Sequence, residues 1–287
     1  MLLRVNLILL AAFALSMVAV ALVVTSLLQQ NAMREVLAQA GLMLDSAAAM
    51  RSYTEAEVRP LLESRMDSVF LPQSIPFYAA TQNFLKLHQE HPDYSYKEAA
   101  LNPTNPRDRA TDWQADIVQR FRDDAGTRQV TGARDTPMGK SLYMARPIRV
   151  DAGCLGCHSR PSLAPATLLA RYGSDNGFGW QPNEVVGAQI VSVPFASAEA
   201  SARRVRDRVL TAIAAMFACM LLVINVSLYV LVIRPVRCIA RIADRVSLGD
   251  ASPPEFPSGG GREVAALSAA FNRMHKSMDK ALRMLGD

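Results

Sequence analysis

Charge is missing from two long stretches of this chain. No Asp, Glu, Lys or Arg occurs from Val5 to Leu28 or from Val209 to Ile233, and each run is long enough to cross a hydrocarbon core about 30 Å thick as a helix. A uniformly globular chain is thereby excluded. Cysteine is scarce, with four in 287 residues. Two of them stand three positions apart at Cys154 and Cys157, Cys219 lies inside the second uncharged run and Cys238 lies just past it, which leaves no framework of structural disulfides. The residues after the second run carry no glycine-rich phosphate loop and no recognisable kinase histidine box, so a transmitter is lacking there. A nucleic-acid patch is lacking too, despite a net charge of +5. Arg203, Arg204, Arg206 and Arg208 flank one end of the second run and Arg234, Arg237, Arg241 and Arg245 the other, a placement suited to lipid phosphates.

What the chain does have is the run Cys154-Leu155-Gly156-Cys157-His158. Two thiols three positions apart, followed at once by an imidazole, form the pattern that fixes c-type haem. One helical turn advances about 3.6 residues, so both thiols can face one edge of a porphyrin and form thioethers with its two vinyl groups. His158 then supplies the proximal iron ligand, with one haem c per chain. Two other readings are a Cys154–Cys157 disulfide and half of a zinc site, for which His88 and His91 have permissive spacing.

The motif also sets the topology. Basic residues stand on both sides of the second run, so counting them does not orient it. Covalent haem attachment is an extracytoplasmic reaction, which places residues 30–207 outside a bacterial inner membrane and both termini inside. The first run, residues 5–28, exceeds the roughly 7 to 15 residues of a signal-peptide core, so an uncleaved anchor is expected rather than a cleaved signal. The second span is residues 209–233.

Between the spans, Gln30 to Leu62 reads as a long helix with Leu37, Gly41, Leu44 and Ala48 at helical spacing, interrupted at Pro60. A short helix follows from Phe77 to Gln89. A turn-rich segment, Leu101 to Asp108, leads into a helix from Asp112 to Arg122, whose Trp113, Ile117 and Phe121 form a stripe that reads as core. Two segments have strand character, Lys140 to Val150 and Glu184 to Phe195. The loop between motif and second strand, Ser159 to Asn183, is dense in Gly and Pro. Its Tyr172, Phe178 and Trp180 serve either as walls for a porphyrin or as packing on the sheet. Helices on one side of a short antiparallel sheet make an α+β domain with the cofactor between the layers.

The segments Met50-Arg51-Ser52-Tyr53-Thr54, Leu101 to Phe121 and Ala145-Arg146-Pro147-Ile148, with the haem motif and Gly177-Phe178-Gly179-Trp180 after it, resemble the Tll-type family of exported c-haem sensory domains. The resemblance covers roughly Ala40 to Pro194. It implies a PAS-like fold and a sensor that binds one haem without substrate turnover.

Iron held by His158 has a second axial position, and its occupant decides between electron transfer, ligand exchange and binding of NO, CO or O2. Met43 and Met50, seven apart on the first exported helix, share a face and are the leading candidates. Met138, Met144, His88 and His91 are others, although His91 reads as solvated. A distal thiolate is excluded, because no third cysteine lies on the exported side.

Past the second span, Val236, Ile239, Ala243 and Val246 recur at three and four, as do Val264, Leu267, Phe271, Met274 and Met278. A connector containing Gly249, Pro253, Pro254, Pro257 and Gly259 to Gly261 separates them. Residues 235–282 resemble a HAMP domain, with Glu263 and Phe271-Asn272-Arg273-Met274 as the best-matched positions. This implies a homodimer that relays a helix displacement to a separate cytoplasmic kinase or other transmitter. The expected protein is therefore a two-span haem sensor. A membrane-anchored c-type cytochrome and a haem-free receptor are its rivals.

Overall fold

The computed structural model describes residues 2–137, 139–248, 254 and 261–286. The Gly- and Pro-rich connector, apart from Pro254 and Gly261, lies outside the described residues, as does Met138. The chain divides into two units, one of Met1–Leu22 with Asp207–Asp287 and the other of Val23–Arg206. In chain order its elements are α1 (Leu2–Tyr53), α2 (Arg59–Leu62), α3 (Pro76–Glu90), β1 (Ser95–Ala100), α4 (Asp112–Asp123), β2 (Val130–Thr136), β3 (Gly139–Arg149), α5 (Ala152–His158), α6 (Ala166–Tyr172), β4 (Val185–Pro194), α7 (Ala196–Leu228), α8 (Arg234–Ser247) and α9 (Arg262–Gly286).

Pro60 does not stop the first helix where the sequence reading placed the break. A π turn, Thr54–Val58, joins α1 to α2, and Pro60 sits in the first turn of α2. Proline clashes with the carbonyl four residues back in a regular helix. The wider π turn relieves that clash at Ala56 while the chain stays helical. The same device recurs at Tyr229–Ile233, ahead of Pro235 in α8.

In the larger unit a four-stranded antiparallel sheet has the order β1-β4-β3-β2. Only β3 and β4 were read from the sequence. β1 (Ser-Tyr-Lys-Glu-Ala-Ala) lacks β-branched residues, and β2 is an edge strand carrying Gly132, Arg134 and Asp135. Both escape a propensity argument because strand preference is set by neighbours as much as by residue type. Helices cover both faces of this sheet, not one. Val36, Ala40 and Leu44 of α1 pack on Leu142, Met144, Val191 and Val193. Ile117, Val118 and Phe121 of α4 pack on Ala99, Val130, Ala145, Ala188 and Ile190 from the other side. Central β4 is buried on both faces, which is why it reads as a near-continuous apolar run. α3 joins the α1 face through Ala80 and Phe84, which meet Ala47 and Tyr96.

One buried acid interrupts this interior. Glu98 is 7% exposed, and Tyr96 donates to it at 2.5 Å. Burial is the main force pushing its pKa up from 4.5 to about 8. The unfolded chain releases this proton near 4.5 and the folded chain holds it until about 8, so the unfolded state binds fewer protons across that window and stability falls as pH rises through it. The melting temperature of Glu98→Gln protein is expected to fall less than that of the wild type between pH 4.5 and about pH 8. Parallel curves for the two proteins would contradict this assignment.

Two helical stretches, Leu3–Arg65 and Ala196–Ser247, are long and apolar enough to cross a membrane. In the smaller unit, Asn6 and Asn225 exchange side-chain hydrogen bonds at 2.9 and 3.0 Å. Phe13 stacks on Phe217 with ring centroids 3.7 Å apart. Such reciprocal amide pairing satisfies polar groups that hydrocarbon would leave bare. Near the C-terminus, Ile239 and Ile242 of α8 bury against Val264 of α9, with Val246 and Phe271 beside them. Val236, Leu267, Met274 and Met278, also read as seam positions, are exposed in the single chain.

Candidate functional site

The Cys-x-x-Cys-His run forms the short helix α5, for a local reason. Asp151 is its N-cap, and its carboxylate accepts from the Cys154 backbone N–H at 3.1 Å, which satisfies one of the free donors of the first turn. The Cys154 thiol also donates to Asp151, at 3.2 Å. Both cysteines are half-buried and free. Burial raises both thiol pKa values, that of Cys154 to about 11, so they stand as thiols rather than thiolates at neutral pH. Glu55 and Arg59 approach from the π turn and α2. A Cβ placed on Gly153 would lie 3.6 Å from Glu55 Oε1 and 4.0 Å from Arg59 Nη1.

His158 is held from three sides. Its Nδ1 lies 2.7 Å from the Gly177 carbonyl, and a carbonyl only accepts, so Nδ1 carries the proton. Nε2 is then the nitrogen with a lone pair to give. Trp180 stacks on the imidazole at 4.0 Å between centroids and 12° between planes, and Thr104 Oγ1 lies 3.4 Å from Nδ1. Burial lowers the His158 pKa, against the opposing pull of the Gly177 carbonyl. The loop is tied back to α5 by its backbone, since Gly179 donates to the Ser159 carbonyl and Trp180 to that of His158. Gly177 has φ of +80°, and a Cβ there would collide with Thr104, so the loop reaches the imidazole only because position 177 is glycine.

These residues fit the covalent haem expected from the motif. Two protonated thiols one turn apart can add across two vinyl groups. A neutral imidazole with its Nδ1–H anchored on a carbonyl is the usual state of a metal-binding histidine. A Cβ added at Gly156, between the two cysteines, would meet nothing within 4 Å, which leaves open space along α5.

Of the three loop aromatics, Trp180 belongs to the site, and Phe178 lies 6.5 Å from His158. Tyr172 instead packs edge-on against Phe70, at the end of α6, a helix that glycine and proline density had hidden. Met43 and Met50 do share a face, both packing on the Ala47, Ala80 and Phe84 cluster, and Asn83 Nδ2 lies 2.7 Å from Met50 Sδ. Met144 is buried in the core beneath α1. His88 bonds the Tyr94 carbonyl and His91 packs on the Tyr94 ring. Among the described residues no group of three His, Cys, Asp or Glu side chains is placed to hold a metal ion.

A mixed helix and antiparallel-sheet domain, with a long N-terminal helix and a Cys-x-x-Cys-His helix at one end of its sheet, is thus the class of protein defined here. The family model described as Tll0287-like matches residues 29–194. That is more than half of the chain, which belongs to this family. No curated protein matches. Among solved structures, the cyanobacterial heme-protein Tll0287 is similar at 18% identity with a TM-score of 0.45, over 56% of this chain and 95% of that one.

Proposed function

We propose that the domain binds one haem c through thioethers to Cys154 and Cys157, with His158 Nε2 as the proximal ligand, and that the protein is a sensor and not an enzyme. The observation that carries this reading is the imidazole. His158 is neutral, anchored through Nδ1 by Gly177 and stacked on Trp180, immediately beside two free thiols. When bound, the haem would supply a redox-active iron with a second axial position open to exchange or to a diatomic gas. Met43 or Met50 is the proposed protein occupant of that position.

The rest of the architecture follows from the same reading. The two apolar helices would cross a bacterial inner membrane and place residues 30–207 in the periplasm. Residues 235–282 would act as a HAMP domain in a homodimer, where Val236, Leu267, Met274 and Met278 would find the cover that a single chain does not give them. A two-state bundle of this kind passes on a change at the haem by a shift in population, and its recipient would be a separate cytoplasmic kinase or other transmitter. An electron carrier has no need of such a relay.

Optical spectra of the purified full-length protein test this, recorded oxidised and reduced, with and without NO or CO. A c-type spectrum whose reduced form changes on adding gas, or whose axial ligation differs between redox states, is expected. A c-type spectrum with the same six-coordinate ligation in every condition would replace the sensor by an anchored cytochrome. Absence of haem absorbance from protein made with the attachment machinery present would remove both.

A further inference from the structure

Arg51 is the last basic residue of α1, and one of its donors is unmatched. Its Nε is buried without a hydrogen-bond partner, and its guanidinium lies over the Phe77 ring, 4.8 Å from the centroid. Among the described residues no carboxylate forms a salt bridge with it. Glu98 is close enough to interact with it electrostatically, yet is engaged elsewhere. Tyr96 donates to Glu98 at 2.5 Å, Gln189 bonds the same phenol and stands opposite Glu98 in the β1–β4 register. Asp108, the other acid facing Glu98, pairs with Arg107 at 3.4 Å. Burial raises the Glu98 pKa to about 8, which disfavours its carboxylate form as a partner for Arg51.

A buried guanidinium N–H left without a partner costs its desolvation unless an acceptor joins it. The arrangement therefore selects for a ligand. Arg51 lies one helical turn before Glu55, and Glu55 and Arg59 are the side chains that approach α5. Arg51 itself is close enough to the buried Tyr96–Glu98 pair to interact with both electrostatically.

We infer that Arg51 is a carboxylate-binding residue, its half-buried fork receiving either a propionate of covalently bound haem or a small free carboxylate. The planar fork matches a carboxylate in a bidentate way. A phosphate dianion would ask for a second free cation, and Arg107 is already paired. Only the first source rests on the haem reading. Glu98 is the internal competitor. Above about pH 8 it ionises and draws on Arg51 itself, so carboxylate binding weakens as pH rises, with Tyr96, Gln189, Arg107 and Asp108 as the other groups facing it.

The test uses full-length wild-type, Arg51→Gln and Arg51→Lys proteins, each haem-loaded and each also combined with Cys154→Ser/Cys157→Ser. Resonance Raman spectra report the propionate bending bands, and calorimetric titration with acetate reports a free carboxylate. If the source is haem, the bands shift in Arg51→Gln and less in Arg51→Lys. Acetate then binds only the serine variant, and roughly tenfold or more weakly once Arg51→Gln is added, the loss expected for one charged hydrogen bond. If the source is a free carboxylate, the bands stay put while acetate binds haem-loaded wild type and is lost in Arg51→Gln. Either result supports the site, and Glu98→Gln should flatten the pH dependence of acetate binding. Unmoved bands together with acetate affinity that is absent or indifferent to residue 51 would overturn it. Arg51→Lys guards against a folding defect in the glutamine variant. Should the wild type carry no covalent haem, the acetate arm alone decides on Arg51 while the haem reading fails separately.

Discussion

Protein with both Cys154→Ser and Cys157→Ser is expected to remain folded while losing all covalent haem. The two properties separate because the sulfur atoms do little for the fold. Both thiols are half-buried, and neither belongs to the two clusters that pack the sheet. The helix that carries them is capped through a backbone N–H of residue 154, which serine also has. The serine hydroxyl can replace the thiol as donor to Asp151, so the stability cost should stay within about 1 kcal/mol. The chemical cost is complete, because an alcohol does not add to a vinyl group as a thiol does. Haem staining of a denaturing gel reads the bond, and thermal unfolding of the same sample reads the fold. A haem band that survives denaturation in the double variant would sink the attachment proposal. Cooperative unfolding should persist in both proteins, with any difference in melting temperature beyond that small cost reflecting bound cofactor.

What could be read from the sequence was local. Trp113, Ile117 and Phe121 announce α4 because a helix repeats its face every turn, and Ile117 and Phe121 are indeed core. Cys154, Cys157 and His158 are legible because the motif is contiguous. What brings Gly177 to His158 is a loop closing across 19 positions, and Thr104 arrives from 54 positions away. No periodicity carries that information. The glycines at 177 and 179 were visible, but their spacing said only that the segment turns. Arg51 shows the same limit. In the sequence it is a basic residue near the end of a helix, where a solvated side chain is the ordinary outcome. Its neighbours, Phe77 of α3 together with Tyr96 and Glu98 of β1, itself unread, come from elsewhere in the chain. The sheet was half legible for a related reason. The apolar run of β4 reflects burial on both faces, whereas in β1 Lys97 bonds the Arg109 carbonyl and Glu98 pairs across the ladder with Gln189, neither of which periodicity announces.

Gly177→Ala is expected to damage the site more than any other single methyl group would. At φ of +80° an L-residue brings its Cβ against its own backbone, at about 1 to 2 kcal/mol. Here the added carbon would also meet the hydroxyl oxygen, the backbone nitrogen and the Cα of Thr104. Only the first of these can move aside, so the loop must shift. A shift of the Gly177 carbonyl from its 2.7 Å contact frees the Nδ1–H of His158 and with it the tautomer and the ring orientation. Loss of such an outer partner typically weakens a metal site by roughly 10- to 100-fold. The expected result is a destabilised domain of unchanged secondary structure, whose haem, still covalently attached through the two thiols, shows altered axial ligation in its optical and resonance Raman spectra. Thr104→Ala placed on top of Gly177→Ala removes one of the three clashing atoms and should restore ligation in part. A Gly177→Ala protein with wild-type stability and a wild-type haem spectrum would show that the Gly177 carbonyl does not hold His158.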